Sequence, residues 1–288
     1  MYSGDMITDR QGALLASIIE NFIKTAEPVS SKFLEKSGFF DLSSATIRAE
    51  MCGLEELGYL THLHTSGGRV PTDYAYRFYV DNLNHGNTEI HRNAELKTGE
   101  RGKIKKAIHG AGNNPREINK VVAQTLSDLS ENLVITGIEE ERDFFKVGLS
   151  SLFEMPEFRE FDRIFRMTSF FDEFENMFTE LERAFFTLPA DPRSAGGSGE
   201  ARALAKEGED FDNVPGNKSK GGEVKVFIGR ENPIRNVRDE TVMFAKYNLP
   251  HNLTGSLTLV GPTRMDYVKN IGLIKYTTNE LNRLSQIT

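Results

Sequence analysis

Two short stretches carry side chains suited to one kind of chemistry. Leu42-Ser43-Ser44-Ala45-Thr46-Ile47-Arg48-Ala49-Glu50-Met51 is rich in small and hydroxyl residues around a single cation. His64-Thr65-Ser66-Gly67-Gly68-Arg69-Val70-Pro71-Thr72 is a glycine-tipped turn that ends in arginine. A helix entering a nucleic-acid groove and a loop lying along a phosphate backbone need these residue types. Ser43, Ser44 and Thr46 offer hydroxyls, and a helix N-terminus offers amides, to phosphate oxygens. Arg48 suits a guanine edge or a phosphate, and Ala45 and Ala49 keep the helix slim enough to approach base edges. His64, Thr65, Ser66 and Arg69 suit phosphate or minor-groove contact, with the glycines permitting close backbone approach. Ser30, Ser31 and Lys32, just upstream, complete the candidate DNA-binding set.

These stretches need elements to hold them. Thr8 with Gln11 forms a candidate capping box, and Leu14, Leu15, Ile18, Ile19, Phe22 and Ile23 recur at helical spacing, predicting a helix over 9–25. Glu27-Pro28 ends it. Ser30 caps a short second helix stopped by Gly38, and Ser43 opens a third. The period of that third helix buries Ile47, Met51, Leu54 and Leu57, leaving Ala45, Arg48, Ala49 and Cys52 outward with Ser44 and Thr46 at the edges. A solvated helix would carry more long charged side chains there. Tyr59–His64 and Arg69-Val70 read as a hairpin, and Thr72 caps a helix to about Leu83. This is the order of a winged helix-turn-helix over residues 1–83.

Residues 84–114 are polar and rich in Gly and Asn, which predicts a hinge with a helical patch near 103–109. Asn114-Pro115 opens an amphipathic helix striped by Ile118, Val121, Val122, Thr125, Leu126 and Leu129. Strands are expected at Leu133–Ile138, Phe144–Leu149, Val224–Ile228, Thr241–Tyr247 and Leu253–Val260, a Phe-rich helical region from Pro156 to Leu188, and a last helix from about Arg264 to Leu284. Helices mixed with strands without a βαβ repeat indicate an α+β domain over 115–288. Residues 189–222 hold seven glycines and mixed charge with few apolar side chains, the composition of a flexible insertion.

Other chemistries find little support. His62 and His64 alternate as a metal pair would, but no third ligand clusters with them in the sequence. Cys52 is the lone cysteine, which excludes an internal disulfide and fits a reducing compartment. No GxSxG, HExxH or nucleotide fingerprint occurs, and Gly261-Pro262-Thr263-Arg264-Met265 lacks the lysine and spacing of a P-loop. The expectation is no catalytic residues, no cofactor, no metal and no membrane segment, in a cytoplasmic protein. One feature opposes nucleic-acid binding: residues 1–82 carry seven Lys or Arg against eleven Asp or Glu. Few phosphate contacts would then be available, so two protomers acting together are expected.

Residues 6–83 resemble the HrcA family of bacterial repressors of heat-shock chaperone operons. The resemblance rests on Glu27-Pro28-Val29-Ser30-Ser31-Lys32, Ser43 to Arg48, Leu54-Glu55-Glu56-Leu57-Gly58, His64-Thr65-Ser66, Gly68-Arg69-Val70-Pro71-Thr72-Asp73 and Tyr76-Arg77-Phe78-Tyr79-Val80-Asp81. Val147-Gly148-Leu149, Pro156-Glu157-Phe158 and Gly261 to Tyr267 follow in the family's order. The resemblance implies a GAF-like second domain, a homodimer on an inverted-repeat operator of double-stranded DNA, and a chaperonin as a candidate further partner. Ala49 stands where the family commonly has Asn, which would alter half-site preference. Two alternatives stay open: a winged-helix regulator controlled by a small molecule in the second domain, and a winged-helix protein-interaction module.

Overall fold

The computed structural model describes residues 7–38, 40–62, 68–84, 96–187 and 223–287. They form two compact units. The first holds the described residues up to 84 together with Thr263–Val268, and the second holds the rest.

In the first unit, α1 (Asp9–Thr25) begins at Thr8, whose hydroxyl accepts from the Gln11 amide while the Gln11 side chain accepts from the Thr8 amide. Its stripe of Leu14, Leu15, Ile18 and Ile19 is fully buried. Helix α2 (Ser31–Ser37) is capped by Ser30 and ends at Gly38, whose φ of 70° suits a residue without a Cβ. Helix α3 (Ser44–Glu56) buries Ile47, Met51 and Leu54, each contributing ~1.5–3 kcal/mol. Leu57, expected on that face, is a half-buried C-cap residue. Strands β1 (Leu60–Thr61) and β2 (Val70–Pro71) pair antiparallel, and Val29 bridges to Arg69 beside them. Strand β1 starts one residue later than the Tyr59–His64 stretch the sequence predicts, whose last two residues lie outside the described residues, and β2 is shifted by one residue from the expected Arg69-Val70. Thr72 then caps α4 (Asp73–Asn84), its hydroxyl accepting from the Ala75 amide and donating to the Gly58 carbonyl.

The segment 263–268 completes this unit's core. Met265 and Tyr267 are buried, and the Tyr267 ring lies 5.6 Å from that of Tyr76 and 6.5 Å from that of Tyr79. Arg264 donates to the carbonyl of Ile23 at 3.2 Å, in the last turn of α1, where a cation is favoured.

The second unit is an antiparallel five-stranded sheet in the order β4-β3-β7-β6-β5, from β3 (Leu133–Ile138), β4 (Asp143–Val147), β5 (Val224–Ile228), β6 (Glu240–Leu249) and β7 (Leu253–Pro262). Alternation along the strands separates two faces. Leu133, Ile135, Phe227, Val242, Phe244 and Val260 meet Met167, Phe170, Phe174 and Phe178 of α8 (Phe161–Thr187). The opposite face meets α6 (Pro115–Ser130): Thr136 donates to the Asn119 carbonyl, and the Tyr247 hydroxyl donates to the Asn119 side-chain oxygen at 2.5 Å. Helix α7 (Leu149–Phe153) starts at Gly148, where φ is 99° and a Cβ would lie 2.2 Å from the Asn132 carbonyl. Helix α5 (Thr98–Gly110) packs on α6, and α9 (Tyr267–Ile287) lies alongside, with Lys269 3.9 Å from Glu100 and Arg101 over the Tyr276 ring. Residues 96–114 are thus a folded part of this unit, not the hinge expected over 84–114. The expected insertion, 189–222, lies outside the described residues.

One buried charge is fixed by geometry. The Glu240 side chain is 1% exposed and accepts from Arg163 at 2.8 Å, while Arg163 also donates to the Asp239 carbonyl and stacks on Phe158. Burial pushes the Glu240 carboxyl above its ordinary value, with Arg163 pulling it back. Removing Arg163 strands a buried carboxylate, so Arg163→Ala is expected to lose about 3–5 kcal/mol at neutral pH. Since the folded pKa is raised, stability falls as pH climbs through it, and the loss should shrink at pH 4, where Glu240 is buried neutral. Urea unfolding at both pH values checks this; an equal loss at each would contradict it.

Candidate nucleic-acid interface

The exposed side of α3 follows from its buried side. With Ile47, Met51 and Leu54 inward, Ala45, Thr46, Arg48 and Ala49 are exposed, and Ser44 and Cys52 are half-buried. Ser43 sits at the N-cap, its hydroxyl accepting from the Thr46 amide at 3.2 Å and 3.0 Å from the Thr46 hydroxyl. Ser31 and Ser44 share a 3.0 Å hydrogen bond that ties α2 to α3. Ser30, the N-cap of α2, and Lys32 in its first turn are exposed. Among the described residues, neither Lys32 nor Arg48 has a hydrogen-bond or ion-pair partner. The ridge offers two cations and a methyl- and hydroxyl-lined surface.

At the start of α3 the sequence expectation needs amendment. The Ser44 amide, expected to be open to a phosphate, donates to the Glu35 carboxylate at 2.9 Å. A helix N-terminus favours an anion, and here α2 supplies one. Sequence reasoning missed Glu35, because the contact spans nine residues and two helices.

The hairpin differs further. Arg69 was expected to face phosphate. It is half-buried, with its amide and carbonyl bonded to Val29 and its Nε donating to Glu55 of α3 at 2.7 Å. His62 bonds the other oxygen of Glu55, so one carboxylate holds residues flanking both strands. Its chemistry is an internal clasp, and the His62–His64 metal reading gains nothing, since Glu55 takes His62. Gly68 also has an internal cause: a Cβ there would lie 2.6 Å from the Val29 backbone. His64, Thr65, Ser66 and Gly67 lie outside the described residues.

The clasp also bears on the acidic balance. Glu50 pairs with Arg10 and Glu55 with Arg69 and His62, so two carboxylates of α3 are met by cations away from the ridge. The His62 hydrogen bond, with Arg69 beside it, holds the Glu55 carboxyl below its ordinary value despite partial burial. A lowered folded pKa means stability that is present above about 4.5 and lost as pH falls through the folded value. Glu55→Gln should therefore flatten the acid limb of the melting-temperature curve between pH 3 and 6. Superimposable wild-type and variant curves would refute the clasp.

Among the described residues, no group of three His, Cys, Asp or Glu side chains is placed to hold a metal, and no helix is long and apolar enough to cross a membrane. Residues 93–271 match the family model described as the HrcA protein C-terminal domain. Two curated relatives share the description heat-inducible transcription repressor HrcA. That of Oceanobacillus iheyensis is 29% identical, covering 96% of each chain. That of Thermoanaerobacter pseudethanolicus is 30% identical, covering 96% of this chain and 97% of the relative. A crystal structure described as a hypothetical protein at 2.2 Å resolution aligns over 98% of this chain and 99% of its own, with a TM-score of 0.67 at 18% identity, which supports the mixed helix-and-sheet fold. The class is thus one of transcription repressors and not of enzymes. Within it, the chain belongs to the HrcA family.

Proposed function

We propose that the first unit is a winged helix that binds double-stranded operator DNA, with α3 in the major groove, and that the second is a GAF-like dimerisation and regulatory domain. The observation that carries this is the outward face of α3, where Ala45, Thr46 and Ala49 surround an unpaired Arg48. Bound as a homodimer, the protein would meet an inverted repeat with one half-site per protomer, because two-fold protein symmetry matches two-fold DNA symmetry. Occupying the promoter of chaperone genes would repress them, and chaperonin availability would set the amount of folded repressor, as the family resemblance implies.

In this reading Ser30, Ser31, Lys32, Ser43, Ser44, Thr46 and Arg48 contact DNA, with Ala45 and Ala49 lining the approach. Arg69 acts through Glu55 to set the hairpin. His64, Thr65 and Ser66 remain proposed contacts of its tip. The test is selection of duplexes from a random pool, followed by anisotropy titration of the winners. Wild type should enrich an inverted repeat, and Arg48→Ala should weaken binding by about fivefold or more, as expected for a lost base contact worth ~1–3 kcal/mol. Enrichment of no sequence by wild type would overturn the assignment and favour a protein-interaction module.

A further inference from the structure

The first unit is short of cations for a nucleic-acid ligand. Of its basic side chains, Arg10, Arg69 and Arg77 are bonded to Glu50, Glu55 and Asp81. The second unit holds what the first lacks. Helix α5 turns Ile104 and Ile108 inward, and its outward arc carries Lys103, Lys105, Lys106 and His109, all exposed. The one acid of the helix, Glu100, is turned away: its side chain accepts from the Lys97 amide at 3.1 Å and faces Lys269. Among the described residues, none of the three lysines or His109 has an ion-pair or hydrogen-bond partner.

Helical spacing sharpens the point. Lys103 and Lys106 lie three apart and Arg101 and Lys105 four apart, so like-charged side chains are neighbours along the surface, with His109 four residues beyond Lys105. The macrodipole favours cations in the last turn of a helix, and the lysines lie before that turn, so it does not account for them. Gly99, Gly102 and Gly110 add a second oddity: a Cβ at any of them would meet nothing within 4 Å, so packing does not demand glycine. Gly102 lies mid-helix, where glycine weakens the element. The neighbouring helix α6 shows the ordinary solvated pattern, with Glu117, Lys120, Gln124 and Asp128 alternating along its exposed side.

We propose that this face of α5 binds the phosphodiester backbone of duplex DNA without reading sequence, adding to the contacts of the first unit; the proposal rests on the DNA-binding reading above. Lysine ammonium groups pair with phosphates as point charges, and the bare glycine backbone lets the sugar-phosphate rail come close. A lipid surface is the poorer fit, because the outward arc has no apolar side chain to insert. An acidic protein partner would likewise find no aromatic or aliphatic anchor. Tethering on one chain with the α3 ridge makes DNA contact by this face effectively intramolecular once either surface is bound.

The test uses the full chain and a mixed-sequence 40-base-pair duplex, titrated by anisotropy between 50 and 300 mM salt, with wild type, K103Q/K105Q/K106Q and R48A compared. Each lost phosphate contact lowers the slope of log Kobs against log salt by about 0.9. The triple variant should therefore lose about 2–3 from the slope and at least tenfold in affinity near 100 mM salt. Its preference for a selected inverted repeat over the mixed duplex should be unchanged, and so should its circular-dichroism melting curve. Unchanged slope and affinity in the triple variant overturn the proposal, while R48A alone losing sequence preference keeps the α3 reading standing. The converse result, loss of slope in the triple with full sequence preference in R48A, upholds this face and removes the ridge. Absence of duplex binding by wild type at 50 mM salt overturns both, and lysine-dependent binding to phosphatidylserine vesicles with unaltered duplex binding overturns this one.

Discussion

Burial of Ile47, Met51 and Leu54 is the constraint on which the candidate interface depends. A helix cannot hide one side without fixing the other, because its period sets both at once. Packing this stripe within the first unit turns Ala45, Arg48 and Ala49 outward with no freedom to rotate. The hydroxyl pair Ser31–Ser44 and the Glu35 carboxylate on the Ser44 amide then lock α3 to α2. The hydrophobic effect supplies the energy, and these few polar contacts supply the register.

Charge in the first unit is sorted in the same way. Glu50 and Glu55 project from α3, yet Arg10 draws one towards α1 and the His62–Arg69 pair draws the other towards the hairpin. An acidic total therefore coexists with a ridge on which Lys32 and Arg48 stand as exposed cations. Net charge is a sum, whereas recognition depends on where each term sits. The α5 face in the second unit extends that separation, gathering lysines on a surface from which its one acid has been turned away.

Features written within four residues of chain were legible in the sequence. The Thr8–Gln11 box, the Ser30 and Ser43 caps, the Asn114-Pro115 helix start and the strands Leu133–Ile138 and Val224–Ile228 are local patterns of hydrogen bonding or apolar periodicity. What escaped depends on distant partners. Arg69 looks like a phosphate ligand until Glu55, fourteen residues earlier, is found bonded to it. Arg264 meets a carbonyl 241 residues away. Of α5, only the patch near 103–109 is legible in the sequence, because its glycines and lysines obscure a stripe of two buried isoleucines, which hold once α6 provides a surface. Tertiary packing overrides weak local propensity there.

The first unit is discontinuous along the chain, and this has a consequence for how the molecule can come apart. Residues 263–268 contribute Arg264, Met265 and Tyr267 to it, although the strand before them and most of the helix after them belong elsewhere. A fragment cut after residue 95 would lack the ring beside Tyr76 and Tyr79 and the guanidinium at the end of α1. The stretch lies between β7 and most of α9, so its two ends are anchored in the second unit's elements while its side chains fill the first. Loss of the first unit's fold would therefore release a stretch held between a strand and a helix that are otherwise built into the sheet.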